Sequence, residues 1–366
     1  MTNALRDTIA RNRAGEVIAI PSVCSAHPEV LRASLLLAES LDRPLLIEAT
    51  SNQVNQDGGY TGMRPSDFIA LVHKIADEAG VDRARITFGG DHLGPQAWKS
   101  MPAEQAMARA EIMLTDYVRA GFTKIHLDCS EGCAGEPAHL DDATVCTRAS
   151  ALAEVCEAAA ADPGALSYIV GTEVPPPGGA REEHVVVPTR PEAAAATLAA
   201  HFEAFSPAAA NRIVGLVVQP GVEFGALNID HLPPGDNPEL RAVLEAHDGV
   251  VFEAHSTDYQ RPEAYPQLAR MGFAIHKVGP ALTFAYRQAL YGFDMLVGLF
   301  DREAEAGPSV LAALEAAMRD DPKYWQGHYF GSAHDQALQR HFAWSDRLRY
   351  YWPEPRVAAA VDSLMA

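Results

Sequence analysis

An aspartate and a histidine stand side by side at Asp91-His92, after the run Ile86-Thr87-Phe88-Gly89-Gly90 and before Leu93-Gly94-Pro95. A carboxylate can serve as a general acid or base, and neutral imidazole is the commonest metal ligand. The two glycines let backbone or ligand come close. Further along, Glu173 closes the stretch Ser167-Tyr168-Ile169-Val170-Gly171-Thr172, and His255 closes Val250-Val251-Phe252-Glu253-Ala254. Two imidazoles and a carboxylate, His92, His255 and Glu173, make a set suited to a divalent metal, zinc above all, with an open position for substrate. Asp91, Asp128 and Glu173 are the candidate catalytic carboxylates: Asp91 as acid/base, Asp128 as the group that orients a ligand from behind. The same groups can instead pair with one another, and Asp91 can simply cap the segment that follows it.

A second chemistry is anion binding. Gly279-Pro280 opens a long helical stretch, and helix N-termini attract phosphate. Lys277 and Gly279, with the hydroxyl of Ser256 and with Asp258 nearby in sequence, form the candidate phosphate and substrate contacts at this end. Ser25, Glu48 and Gln219 occupy the ends of other apolar runs. Asn52 and Gln53 lie in an amide-rich, Gly-tipped loop from Thr50 to Met63, long for such a connection. The bland alternative at Gly279 is an ordinary helix start.

These groups need strands to carry them. Val17–Pro21, Leu45–Ala49, Ile86–Gly90, Lys124–Asp128, Ser167–Glu173, Arg212–Gln219, Val250–His255 and Ala274–Val278 read as eight strands, alternating with helical stretches. In Lys124-Ile125-His126-Leu127-Asp128 the alternation is clean, with Lys124, His126 and Asp128 on one side and Ile125 and Leu127 on the other. Eight continuous apolar strands alternating with helices predict an α/β fold, a (β/α)8 TIM barrel over residues 1–300, with catalytic groups at the C-terminal strand ends. Residues 301–366 read as a helical C-terminal appendix, rich in aromatics, packed on the barrel or on a partner. No Gly-x-Gly-x-x-Gly follows the first strand, which removes the usual support for a dinucleotide fold.

Composition narrows the partners. Lys and Arg number 29 against 48 Asp and Glu, giving a net charge of −19. That field repels nucleic acid and anionic membranes. No apolar stretch is long enough to span a bilayer, and Met1–Arg6 does not begin a signal peptide. Five cysteines without a framework predict free thiols and a cytoplasmic location. Cys129-x3-Cys133 hints at metal, but no second pair follows.

The segments Ser22–Pro28, Ile47–Met63, Gly89–Pro95, Lys124–Asp128, Gly171–Gly179, Val218–Phe224, Glu253–Gln260, Lys277–Ala285 and Ser345–Pro353 resemble the GatZ/KbaZ subunits of class II D-tagatose-1,6-bisphosphate aldolase, once labelled tagatose-6-phosphate kinases. The resemblance covers nearly the whole chain; longer members continue for some tens of residues past its end, which puts a partner-docking role for such a tail in doubt here. It implies a barrel related to class II aldolases, in which Asp91-His92 supplies the acid/base and a zinc ligand and Glu253–Ser256 carries a later histidine ligand. Where those aldolases have another ligand histidine this chain has Gln219-Pro220-Gly221, and Glu173 is the expected replacement.

Two roles follow from the family. One is a non-catalytic subunit that stabilises a catalytic aldolase chain. The other is a 4-epimerase that interconverts D-tagatose 6-phosphate and D-fructose 6-phosphate. The C4 hydrogen of a 2-ketohexose is not next to the carbonyl, so inversion there calls for retro-aldol cleavage of C3–C4 and re-addition. A scaffold has no need of acids and imidazoles at converging strand ends, which favours metal-dependent epimerase or aldolase-type catalysis on a sugar phosphate, by a homo-oligomer. Walker A and kinase glycine-loop signatures do not occur, which disfavours a kinase.

Overall fold

The computed structural model describes residues 4–171, 186–300 and 309–366. Eight parallel strands close into a barrel: β1 Ile20–Val23, β2 Leu45–Thr50, β3 Ile86–Leu93, β4 Lys124–Leu127, β5 Ser167–Val170, β6 Ile213–Val217, β7 Val251–Ala254 and β8 Phe273–Val278. Each strand pairs with its sequence neighbours, and β8 closes on β1 with Ile20 beside Ile275 and Ser22 beside Lys277. The expected α/β class and TIM barrel are therefore observed.

Local chemistry shifts some boundaries. The first strand begins at Ile20, not Val17, because the chain is still turning off the helix Ala4–Arg13. Asn12 Nδ2 donates to the Ile18 carbonyl at 2.9 Å, and the Ile18 N–H bonds to Glu16. The described part of β5 ends at Val170. Glu173 and the proline-rich segment after it lie outside the described residues. A two-stranded hairpin, Glu223–Phe224 with Ile229–Asp230, follows β6 and has no counterpart in the sequence reading.

The barrel interior changes character along its axis. At the bottom, Ile20, Leu46, Ile169, Val217, Val251 and Ile275 pack together on Leu5 and Ile9 of the first helix, which plugs that end. Above them sit Glu48, Lys124 and Glu253, all fully buried. Burying apolar groups at the bottom and charged groups above sets the polarity of the site: the upper layers are stable only if each charge finds a partner.

The C-terminal part has its own core, formed by Leu290, Val310, Leu314, Met318, Leu348 and Trp352 among others, so it grows from the last barrel helix, Pro280–Phe300. It docks on the barrel through polar bonds as well. The Tyr259 hydroxyl donates to the Trp344 carbonyl at 2.7 Å, and the Trp344 N–H donates to the Ala226 carbonyl at 3.0 Å. The buried Arg287 guanidinium pairs with Asp346, whose second oxygen accepts from the Thr283 hydroxyl at 2.6 Å. Among the described residues, no helix is long and apolar enough to cross a membrane. All five cysteines are free thiols.

Candidate active site

Strand register explains the glycines of β3. Gly89 lies between Glu48 on β2 and Lys124 on β4. A Cβ there would collide with the Glu48 carboxylate, so the absence of a side chain is what lets Glu48 reach Lys124. Their contact is 2.5 Å, and Lys124 meets Glu253 Oε2 at 2.8 Å. Gly94 presses against the Asp128 carbonyl where a side chain would not fit, and this brings the ends of β3 and β4 together. His92 itself adopts φ +46°, a left-handed conformation that non-glycine residues seldom hold.

That turn aims His92 at two other imidazoles. The ring centroids of His92, His126 and His255 lie 5.0, 5.0 and 5.2 Å apart, a near-equilateral triangle. Asp91 joins them: one potential ligand atom from each of Asp91, His92, His126 and His255 lies within 4.8 Å of all the others. Three imidazoles and one carboxylate match the ligand chemistry of a four-coordinate divalent cation.

Two of the rings are held from behind. His92 Nδ1 lies 2.8 Å from Asp128 Oδ2, and His255 Nε2 lies 2.9 Å from Glu253 Oε1. Each ring nitrogen committed to a carboxylate leaves the opposite nitrogen facing the cluster, the arrangement that orients metal-binding histidines. His126 Nδ1 lies 3.0 Å from Asp91 Oδ1, while its Nε2 is buried with no partner among the described residues. His126 Nδ1 also accepts from the His92 N–H at 3.1 Å, and a cation at the cluster would take up a buried nitrogen of this ring. On these three observations the residues fit a divalent metal.

Burial keeps the His126 and His255 rings neutral. It pushes His126 down to about 4 and His255 likewise to about 4, although Glu253 partly opposes the second shift. Burial works against the charge on Asp128, but the His92 and Ser130 hydrogen bonds outweigh it and hold the carboxyl below its usual range. Burial likewise opposes the Lys124 charge, and Glu253 and Glu48 overcome it, so the ammonium is held more firmly than usual.

The expected site residues fall into groups. Asp91, His92 and His255 converge, with Asp128 behind His92. Asn52, Gln53, Ser256 and Asp258 line the same mouth cavity, of about 240 Å³. Glu48 sits below it, spent on Lys124. Ser25 faces a neighbouring cavity and accepts from the His27 N–H at 3.3 Å. Gln219 shapes its own turn, its Oε1 accepting from Gly221 and Val222 N–H groups. Lys277 also lines the cavity but pairs with Asp91, and lies 3.4 and 3.3 Å from Glu48 and Glu253, so it is not the free cation expected for phosphate. Nor is the helix start at Gly279 open: Asp258 Oδ1 already accepts from the Gly279 and Ala281 N–H groups at 3.0 and 2.8 Å. Glu173 lies outside the described residues, and His126 stands in the cluster in addition to the expected ligands. Its inward position was readable from the alternation of β4, but its role was not assigned from sequence. Arg347 and Arg349, far along the chain, were also missed; both line the cavity.

Comparison with known proteins shows the family. Residues 5–366 match the model of the family described as D-tagatose-1,6-bisphosphate aldolase subunit GatZ/KbaZ-like. A D-tagatose 6-phosphate 4-epimerase of Agrobacterium fabrum (strain C58) is 50% identical over 374 residues, covering 100% of this chain and 87% of that protein. A crystal structure from Sinorhizobium meliloti 1021, described as a probable tagatose 6 phosphate kinase, superposes with a TM-score of 0.86 at 52% identity, covering 95% of this chain and 86% of that one. The chain belongs to the GatZ/KbaZ-like family and, as a barrel with this site and an epimerase relative, is an enzyme.

Proposed function

We propose that this chain is a metal-dependent ketohexose-phosphate 4-epimerase, interconverting D-tagatose 6-phosphate and D-fructose 6-phosphate by retro-aldol cleavage and re-addition at C3–C4. The observation that carries the reading is the convergence of His92, His126, His255 and Asp91 at the barrel mouth, two of the rings backed by buried carboxylates. Half-identity to an enzyme of that activity supports it.

His92, His126 and His255 would hold the cation, with Asp91 beside them; zinc suits this donor set best. Such a cation supplies Lewis-acid stabilisation of negative charge at the ketose oxygens. The chain's own groups do the rest. Asp91 takes the O4 proton, C4 becomes a carbonyl, and the C3–C4 pair passes into the C2–O2 unit of the three-carbon fragment. The aldehyde turns about C4–C5, the C3–C4 bond re-forms on its other face, and Asp91 returns the proton to O4. Lys277, in contact with Asp91, balances that carboxylate before it accepts the proton. Asp128 and Glu253 hold the His92 and His255 rings in place.

The sequence contains neither a P-loop nor a kinase glycine loop, so phosphoryl transfer from a nucleotide finds no support. The test is direct. The purified chain is assayed with D-tagatose 6-phosphate and analysed for metal. D-Fructose 6-phosphate should accumulate, a stoichiometric divalent ion should be present, and chelation should stop turnover. A metal-replete chain that is inert by itself but stabilises a catalytic aldolase chain would overturn the reading in favour of a non-catalytic subunit.

A further inference from the structure

We propose that Arg349, with Arg347 beside it, seats the phosphate of the substrate, so that the C-terminal helical part completes the active site. The inference rests on the proposed function for the identity of the sugar. Its own basis is an arginine that faces the cavity with no carboxylate of the described residues at ion-pair distance, although the charges of Asp258 and Asp346 are felt there.

The cavity has imidazoles and Asp91 on one wall and Arg347, Arg349 and Tyr350 on another. Its other cations are spoken for: Lys277 lies among three carboxylates, and Lys99 pairs with Glu131. Arg349 makes no ion pair with any described residue. Its Nη1 donates to the carbonyls of Ser345 at 2.5 Å and Asp346 at 3.1 Å, and its Nη2 donates to the Tyr350 hydroxyl at 2.8 Å. A guanidinium has five donor hydrogens, so these bonds leave donors over. The nearest carboxylate in sequence, Asp346 three residues earlier, is already engaged by Arg287 and Thr283. In a chain with 48 acidic residues against 29 basic ones, a guanidinium left this way at a cavity wall is a seat for an external anion.

The geometry suits phosphate. The Arg347 and Arg349 guanidinium carbons lie 5.2 and 4.4 Å from the Tyr350 ring centroid, so the two charges share one platform. Planar guanidinium forks bind phosphate oxygens in pairs. The segment is rigidly placed: Asp346, at φ +42°, turns the chain toward the cavity and is tied to the barrel helix through Arg287. The competing seat, the start of that helix, is filled by the Asp258 carboxylate.

Such a seat has a mechanistic use. When C3–C4 opens, the C4–C6 fragment must stay bound while its carbonyl turns. A phosphate gripped at C6 retains the fragment and leaves rotation about C4–C5 free. An enzyme that released it would be an aldolase.

The test compares wild type with R349Q and R349K. The kcat/KM ratio for D-tagatose 6-phosphate over unphosphorylated D-tagatose should fall about 10–100-fold in R349Q, the range for losing hydrogen bonds to a charged group. R349K keeps the charge but loses the fork, and should fall by a smaller factor; it also serves if R349Q does not fold. A preference for the phosphorylated sugar equal to that of wild type in either folded variant overturns the proposal. If the wild-type chain turns over neither sugar, the proposed function fails but this site is still decided by calorimetry. D-Fructose 6-phosphate or inorganic phosphate that binds wild type at least about tenfold more tightly than R349Q supports the seat; equal binding overturns it.

Discussion

Replacing Lys124 with methionine should expose how the barrel interior supports the site. Lys124 Nζ lies 2.5 Å from Glu48 and 2.8 Å from Glu253, and all three side chains are fully buried. Methionine fills most of the same space without the charge. Two carboxylates then face each other with only Lys277, at 3.4 and 3.3 Å, as a shared partner. Removing one member of a buried ion pair costs about 3–5 kcal/mol, and the residual contact with Lys277 places the loss near the lower end. The loss should depend on pH. In wild type, burial opposes ionisation of Glu48 and Glu253, but Lys124 and Lys277 outweigh it at Glu48, Lys124 and the His255 contact outweigh it at Glu253, and both sit below the ordinary carboxylate range. Their contribution is complete above the unfolded value and is lost only as pH falls through the lower folded value. In the variant, burial and mutual repulsion raise one folded-state pKa above the unfolded value, which reverses the sign: stability of the variant rises as pH falls toward the unfolded value. The gap between the two proteins should therefore be about 3 kcal/mol at pH 8 and narrow by up to about 1.4 kcal/mol per pH unit below the raised pKa. Urea denaturation of chelator-treated protein at pH 8, 6.5 and 5.5 measures this. A gap below about 1 kcal/mol, or one that does not change with pH, would refute the reasoning.

His126→Gln should lower metal affinity by more than the 10–100-fold that loss of a mere supporting partner costs; dialysis followed by elemental analysis checks it, and full retention would remove His126 from the ligand set. Arg287→Met leaves Asp346 buried with only Thr283 and should destabilise the chain by about 3 kcal/mol, read from the urea midpoint; no loss would mean the pair does not anchor the C-terminal part. His276 is buried on β8, and burial pushes it down to about 4, so it stays neutral in the fold while the unfolded chain takes a proton below about 6.5. Stability should therefore fall as pH drops from about 6.5 toward 4, and His276→Gln should recover up to about 2 kcal/mol of the loss seen between pH 6.5 and 5, by urea denaturation at both; an unaltered slope would assign the acid sensitivity elsewhere.

Much of this architecture is written in local pattern. Strand parity put Lys124, His126 and Asp128 on one face, and alternation of strands with helices gave the barrel. Asp91, His92 and His255 were visible because an acid or imidazole after an apolar run is unusual locally. What escaped depends on contacts between distant segments. Gly89 reads as loop chemistry until its register between Glu48 and Lys124 is known. Lys277 reads as a phosphate ligand because sequence shows a cation at a strand end, not the three carboxylates that converge on it. Gly279 reads as an open helix start because Asp258, twenty-one residues earlier, fills it only in three dimensions. Arg347 and Arg349 sit in an aromatic run that reads as packing. The signal was there: two basic residues spaced by one, in an acidic chain, within a segment that resembled the family far from the barrel.

The charges of the mouth give a reason to expect a cation there that is independent of any likeness. Glu48, Asp91, Asp128 and Glu253 form one bonded network with Lys124 and Lys277, and every member is at least 95% buried. With His126 and His255 neutral, four carboxylates face two ammonium groups, and negative charge is left in excess out of water. An uncompensated buried charge costs several kcal/mol, and a protein ordinarily relieves it by taking up a proton or an ion. Protonation is the poorer route here, since the lysines and imidazoles hold Glu48, Asp128 and Glu253 below the ordinary carboxylate range. A dication at the three imidazoles cancels the excess without disturbing those bonds. The same balance keeps Lys277 beside Asp91: moved to a bound anion, it would leave that carboxylate in an interior one positive charge poorer. An anionic substrate would then be met by a cation outside the network, the role proposed for Arg349.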